Sequence, residues 1–535
     1  MNIFTDIFSP YVQTTPAMVL PLAVGLLVVL FVVYYIVVLP PKRCTTQWID
    51  DEVEKGKLTF LNKRFKMGKR DIIPLTLITL IFLTLAIYNL GDTGHVDVLN
   101  EVQLRYEEEA ETGQIAQRPH MTNIIIVDET IFVRTAVEHI ENLNPREFSH
   151  PPVGKLILST SVLTAGESPF GWRLFGAISG VLLLVAMYIF LKNMFGKTII
   201  ATCGTLLLGF DFMRFVLTRI GTVDSFLITF ILLAFFFMYR HISTDRDAPF
   251  RNSLLPLALS GLFFGLSFSV KWIGFYAGAG LLIIYVIRLC QLGLYYKSSK
   301  KSGFGKYLIK TLLFSALFFV VIPAIGYYLS YIPYGTARGM RIANGMLWDP
   351  NFFNIFWDNQ VFMFTFHSQL TALHPFSSVW WQWILNIRPF LFVSNLYEPY
   401  SDLRAVLAVF GNPVIWWGGL LAMVVMAVRV FTHHDGKALF ILIGYLVHLL
   451  PWIFITRVLF IYHYFPSSLF IIMALAHMFS TIRDRRKSFS RTAVICGFTT
   501  LAGAVFVLFY PMLSGMYVPT WYFSNFIRWL PTWPF

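Results

Sequence analysis

The sequence predicts an all-α polytopic membrane protein of about twelve transmembrane helices, with two large extracytoplasmic loops. Three observations carry that expectation. Of 535 residues, 56% are hydrophobic and 17% aromatic. Charged residues make up only 13%, against about 25% in soluble proteins. Lys and Arg, finally, gather in alternate loops. So much apolar side chain exceeds what one water-facing core can hide, which excludes a soluble multi-domain enzyme. Disordered, collagen-like and disulfide-scaffold chains are excluded by the same composition.

A spanning helix needs about 20 mostly apolar residues. Such windows run near 17–39, 72–91, 172–191, 198–217, 224–240, 254–270, 273–294, 308–331, 413–431, 438–456, 459–481 and 491–511. The first is too long, and lacks the basic stretch before it, to read as a cleaved signal. Nine Lys or Arg lie in 40–71, five in 297–310 and five in 483–491. The connectors 192–197, 240–251 and 429–437 add two, three and two. All six segments share one side if the chain alternates, and that side is expected to be cytoplasmic. Both termini and the loops 92–171 and 332–412 then lie outside, in the cell (plasma) membrane's extracytoplasmic space. Residues 92–170 carry 13 acidic groups against five basic ones. The net charge of +13 is thus an orienting charge that meets membrane lipids, with no need of nucleic acid.

The organisation read from this is fourfold: 1–71, an N-terminal helix plus basic loop; 72–331, a transmembrane core with the first external loop; 332–412, an aromatic-rich second external loop; and 413–535, C-terminal helices plus an aromatic tail. The four cysteines, Cys44, Cys203, Cys290 and Cys496, fall in spans or on the cytoplasmic side, so no disulfide is expected. No internal repeat, Walker A or GxGxxG element occurs, which argues against an ATP-driven pump.

The ionisable residues near the external ends of spans are few, so each is a candidate for chemistry. Asp128 and Glu129 precede a helix that they could cap; Asp128 alone is placed to sit at the membrane surface beside the next motif. His150 and Lys155 lie in Phe148-Ser149-His150-Pro151-Pro152-Val153-Gly154-Lys155. Arg219 and Asp224 lie in Thr218-Arg219-Ile220-Gly221-Thr222-Val223-Asp224, where Arg219 either snorkels to headgroups or turns its planar fork to a phosphate. Asp211 and Arg214, deeper in the same span, could form a simple helix pair. Lys271 follows in Ser269-Val270-Lys271-Trp272. The second loop adds His367, His374 and Arg388, with Trp380-Trp381-Gln382-Trp383 between them. The two histidines have no matching carboxylate or Cys spacing for a metal and read as polar lining.

The ordered blocks DETIF, HPPVGKLIL, PFGWRLFG, DFMRFVLTRIGTVD and SVKWIG, then FHSQLTALHPFSSVWWQW, FGNPVIWWGG and RVLFIYHYFP, resemble the protein O-mannosyltransferase family. They span about residues 127–466, most of the chain. The resemblance implies a prokaryotic-type glycosyltransferase of the GT-C fold, using a polyprenyl-phosphate-linked sugar donor, with mannose as the expected sugar, and Ser or Thr of a protein as acceptor. It implies Asp128 as catalytic base, Glu129 beside it in the acceptor site and Arg219 at the carrier phosphate. To these the residues add His150 on the acceptor side and Lys155 on the phosphate side. Asp224, Lys271, His367, His374 and Arg388 would shape the site. Phosphate is already a good leaving group, so one base and cations suffice, unlike the two carboxylates of glycoside hydrolases. Direct attack inverts the anomeric centre. No cofactor is required, and no ligand set supports a divalent metal. The extra span 17–39 and an acidic insertion at Glu107-Glu108-Glu109 and Glu111 set this chain apart from the family pattern. A GT-C transferase acting on a lipid or cell-envelope glycan, a secondary transporter and a non-catalytic scaffold are the alternatives.

Overall fold

The computed structural model describes residues 67–101, 103, 125–126, 128–371, 374–396, 402–484 and 489–535. The 17–39 window, the basic stretch through 66, the acidic insertion and the cluster Arg485, Arg486 and Lys487 lie outside these residues.

Among the described residues ten helices are long and apolar enough to cross a bilayer. They are α1 (Lys69–Ile87), α4 (Pro169–Phe195), α7 (Asp224–Ile242), α8 (Arg251–Val270), α9 (Gly274–Ser298), α10 (Phe304–Thr336), α13 (Pro413–His433), α14 (Gly436–Ile453), α15 (Ile461–Ile482) and α16 (Arg491–Ser514). Each matches an expected window. The exception is 198–217, which breaks into α5 (Thr198–Gly209) and α6 (Phe212–Leu217). The break has a local cause. A Cβ on Gly209 would lie 2.2 Å from the Phe82 ring of α1, so only glycine permits that approach. Asp211 then caps α6 by accepting from the Arg214 N–H at 3.0 Å. Its second oxygen accepts from Trp416 Nε1 at 2.8 Å, while Arg214 donates to the Gly180 carbonyl at 2.7 Å. The expected simple Asp211–Arg214 pair is a buried junction of three helices.

Helix ends follow the usual capping chemistry. Ser168 caps α4 with Pro169 behind it, and Gly196 ends it at φ 72. Asn412 and Asp435 cap α13 and α14. Span α15 is buried along nearly its whole length and forms the axis of the bundle, whereas α10 is the most exposed. At one end Asp71 accepts from Thr198 at 2.7 Å and pairs with Lys192 at 3.1 Å. The Phe195 ring there meets His477, which bonds Asp435. The described basic connectors share this end.

The opposite end is thick. It carries α2 (Glu129–Ile140) and α3 (Val153–Ala165) from the first long loop. From the second come α11 (Pro350–Gln369) and α12 (Trp380–Ile384). Trp348, Phe353, Trp357 and Phe364 stay exposed on and beside α11, the pattern of a helix lying in a membrane interface. The second loop also holds strands absent from the all-α expectation: β1 (Phe390–Leu396) pairs antiparallel with β2 (Leu403–Val409), and β2 with β3 (Val518–Pro519). Beyond β3 the tail returns to pin that loop. Trp533 donates to the Asn386 carbonyl at 3.0 Å, Thr532 donates to the Ile387 carbonyl at 2.5 Å, and Phe535 packs on Phe410.

Candidate active site

Three sequence motifs meet at one point because α3 comes unusually close to its neighbours. A Cβ on Gly154, in the HPPVGK run, would lie 2.7 Å from Val223 and 3.0 Å from Val270. Glycine there lets the first loop sit directly on the starts of α7 and the end of α8, bringing Asp128, Asp224 and Lys271 into one neighbourhood.

Asp128 is the residue before α2. Its backbone carbonyl accepts from Phe132 at 3.1 Å, but its side chain makes no capping bond. The carboxylate is half-buried and has no hydrogen-bond partner among the described residues. Burial pushes its pKa up to about 6; Lys271 opposes that rise, while Asp224 and Glu129 add to it. Lys271 itself donates to both oxygens of Asp224, at 2.9 and 2.8 Å. Its ammonium lies 5.5 Å from the Phe132 ring centre and 5.8 Å from that of Tyr462. Tyr462 is in electrostatic reach of Asp128, Asp224 and Arg457 together.

Glu129 is placed differently from the acceptor-lining role expected of it. It is fully buried. Arg173 grips both its oxygens at 2.7 Å, and the backbone N–H groups of Gly221 and Ile126 donate at 2.7 and 3.0 Å. Such a carboxylate joins α2 to α4 and to the turn before α7, with no face left for a substrate.

The two cations expected at a phosphate are also committed. Arg219 donates to the carbonyls of Ala86, Tyr88 and Asn89 at 3.2, 2.6 and 2.9 Å, and its guanidinium stacks 4.9 Å over Phe215. It caps the end of α1. The void beside it and Arg173 is about 10 Å³, room for one water and far too small for a phosphate. Lys155 is wholly buried; it pairs with Glu147 and donates to the Glu147 and His150 carbonyls at 3.1 and 2.8 Å and to the Tyr334 hydroxyl at 3.2 Å.

His150 and His367 do come to the site. The His150 ring stands edge-on to Phe132 at 5.4 Å and to His367 at 5.5 Å. His374 stacks on Phe390 at 5.5 Å, and its Nδ1 accepts from the Phe376 N–H at 3.2 Å. Arg388 is exposed and donates to the Pro375 carbonyl at 2.8 Å. Both shape the second loop, away from the carboxylate cluster. No group of three or more metal-ligating side chains occurs among the described residues.

Arg457, which opens the run RVLFIYHYFP, also belongs to this neighbourhood and is not marked out by any sequence pattern. Among the described residues it donates to the Val458 carbonyl at 3.3 Å, and its electrostatic neighbours there are Tyr462 and Tyr276, neither of them a carboxylate. It also acts on His367 and His463. The trace it leaves in the sequence is a lone arginine between two apolar runs, at their external ends.

Residues 147–333 match the family model described as dolichyl-phosphate-mannose-protein mannosyltransferase. Residues 352–533 match the C-terminal four-transmembrane region of protein O-mannosyltransferase. The polyprenol-phosphate-mannose–protein mannosyltransferase of Mycobacterium tuberculosis H37Rv is 26% identical over 441 residues, covering 72% of this chain and 80% of the relative. The Mycolicibacterium smegmatis protein of that name is 26% identical over 438 residues, covering 72% and 81%. Among solved structures, the Saccharomyces cerevisiae protein O-mannosyltransferase Pmt1–Pmt2 complex bound to the sugar donor superposes with a TM-score of 0.72 at 12% identity, over 89% of this chain and 95% of that one. That likeness shows a shared fold, the GT-C type expected from the sequence. With two models of one family covering most of the chain in order, this protein belongs to the protein O-mannosyltransferase family.

Proposed function

We propose that this enzyme transfers mannose from a polyprenyl-phosphate carrier to Ser or Thr hydroxyls of proteins, with Asp128 as the base. The observation that carries the reading is one carboxylate, without a hydrogen-bond partner among the described residues and raised to about 6, in electrostatic reach of Lys271, with Arg457 acting on the same Tyr462 as Asp128 does. The relatives' names, which join polyprenol-phosphate-mannose to protein mannosylation, support the same substrates.

The acceptor oxygen attacks the anomeric carbon as its proton passes to Asp128. The bond from that carbon to the phosphate oxygen breaks, and polyprenyl phosphate leaves with the electron pair. A base near pKa 6 is matched to that proton transfer at neutral pH. Lys271 and Arg457 supply the positive potential for the departing phosphate. Lys271 is half-neutralised by Asp224, so Arg457 carries the larger share. Attack from the side opposite the phosphate inverts the anomeric centre, and the scheme requires no metal. The site lies at the end of the bundle opposite the described basic connectors, which favours a multi-pass plasma-membrane enzyme working on the extracytoplasmic face.

The test supplies purified protein with polyprenyl-phosphate-mannose and, in parallel, Ser/Thr peptides and cell-envelope glycans. Mannosylated peptide, detected by mass, is the expected product. Transfer to glycan alone would overturn the protein-acceptor assignment.

A further inference from the structure

Two imidazoles in the site have their protons fixed by their surroundings. His150 Nδ1 lies 3.2 Å from Glu147 Oε1 and 2.9 Å from Ser149 Oγ. Lys155 holds Glu147 ionised, although burial works to raise its pKa. An ionised carboxylate only accepts, so Nδ1 of His150 carries the proton and Nε2 is a bare acceptor. His367 has the opposite tautomer: its Nε2 lies 2.8 Å from the Ser149 carbonyl, which also only accepts. Its Nδ1 is therefore bare too, and it is buried without a partner among the described residues, a state that costs free energy until a donor arrives. Burial keeps both rings neutral, His367 down at about 4.

The two rings are 5.5 Å apart at an angle of 76°. The His150 ring meets Phe132, which follows Asp128 by four residues, about one turn of α2. What would satisfy the two rings is a pair of hydroxyl donors. A metal is disfavoured, because no third ligand joins them among the described residues. A lone Ser or Thr offers one hydroxyl, and the base needs that one. A pyranose ring offers several on adjacent carbons.

We infer that His150 and His367 form a subsite that accepts hydrogen bonds from two neighbouring hydroxyls of the transferred hexose, with Glu147 as the positioning residue that sets the His150 tautomer. The subsite selects for a sugar with both hydroxyls free and correctly directed. It rests on the transferase reading above.

The experiment compares full-length wild type with four variants, using polyprenyl-phosphate-mannose and its monodeoxy analogues, each with a Ser and a Thr peptide. His150→Ala should lose about tenfold in kcat/KM with mannose, the worth of one neutral hydrogen bond. It should lose almost nothing further with the one deoxy analogue that lacks the recognised hydroxyl. His150→Gln, whose amide oxygen reaches the place of Nε2, should recover most of the loss, and His150→Asn should not. Glu147→Gln should cost little more in the His150→Gln background. If it misfolds because Lys155 loses its counter-ion, the His150 variants keep that pair and carry the test alone. An equal penalty with every analogue would overturn the subsite while leaving the transferase intact. So would a penalty that follows the peptide hydroxyl and ignores the sugar. Wild type inactive with every donor would instead sink the transferase reading, and this subsite with it.

Discussion

Lys271 spends its ammonium on both oxygens of Asp224, at 2.9 and 2.8 Å, and so leaves Asp128 without a partner among the described residues. Asp128→Asn should therefore lower transfer at least a thousandfold while the fold and the donor KM hold. The same change should stabilise the protein. A carboxylate whose pKa rises from 3.8 to about 6 on folding weakens the folded state above pH 6, on the order of 1–3 kcal/mol. A thermal melt in detergent at pH 7.5 should show a higher Tm for the variant; a lower one would mean that the charge is paired after all.

The base works only when ionised. Because its pKa is raised to about 6, kcat/KM should be flat above pH 7 and fall tenfold per unit below pH 6. A folded-state carboxylate at its ordinary value near 4 would keep activity to pH 5, and that profile would remove Asp128 from the role.

Glu129 and Arg173 are a buried pair with two backbone donors besides. Removing one partner of such a pair costs about 3–5 kcal/mol. Glu129→Gln should reduce the yield and Tm of folded protein, and the surviving fraction should keep its acceptor KM. A rise in acceptor KM at unchanged Tm would restore the acceptor-site role.

Arg219 and Arg457 should separate cleanly. Arg219→Ala strands three carbonyls at the end of α1 and should lower Tm. Arg457→Ala, which breaks one weak carbonyl contact, should raise the donor KM about 10–100-fold with Tm little changed. Donor titrations of both variants, alongside melts, decide between them.

Much of this was legible beforehand. Span positions follow from apolar runs, and every described window except 198–217 is one helix. The failure there is informative, since hydropathy does not register that Phe82 forbids a side chain at Gly209. The strands at Phe390–Leu396 and Leu403–Val409 escaped because an aromatic loop beside a membrane looks interfacial whatever its backbone does. Asp128, His150 and Lys271 were found because charge near spans is rare. Their partners were not legible. Arg219 and Arg173 are spent on carbonyls and a carboxylate 44 to 133 residues away, and Lys155 reaches the Tyr334 hydroxyl 179 residues away; no local pattern announces such bonds.

The bond from Trp533 to Asn386 spans 147 residues. During synthesis α13, α14, α15 and α16 must all be threaded through the bilayer before the tail can reach the second loop. The second loop is thus fastened after everything beneath it has been laid. Until then its strand edge and aromatic face stand open at the membrane surface. The order in which the ribosome releases the chain is the reverse of a safe order of closure, and the interval between them is when this protein is most exposed to proteolysis and to chaperones.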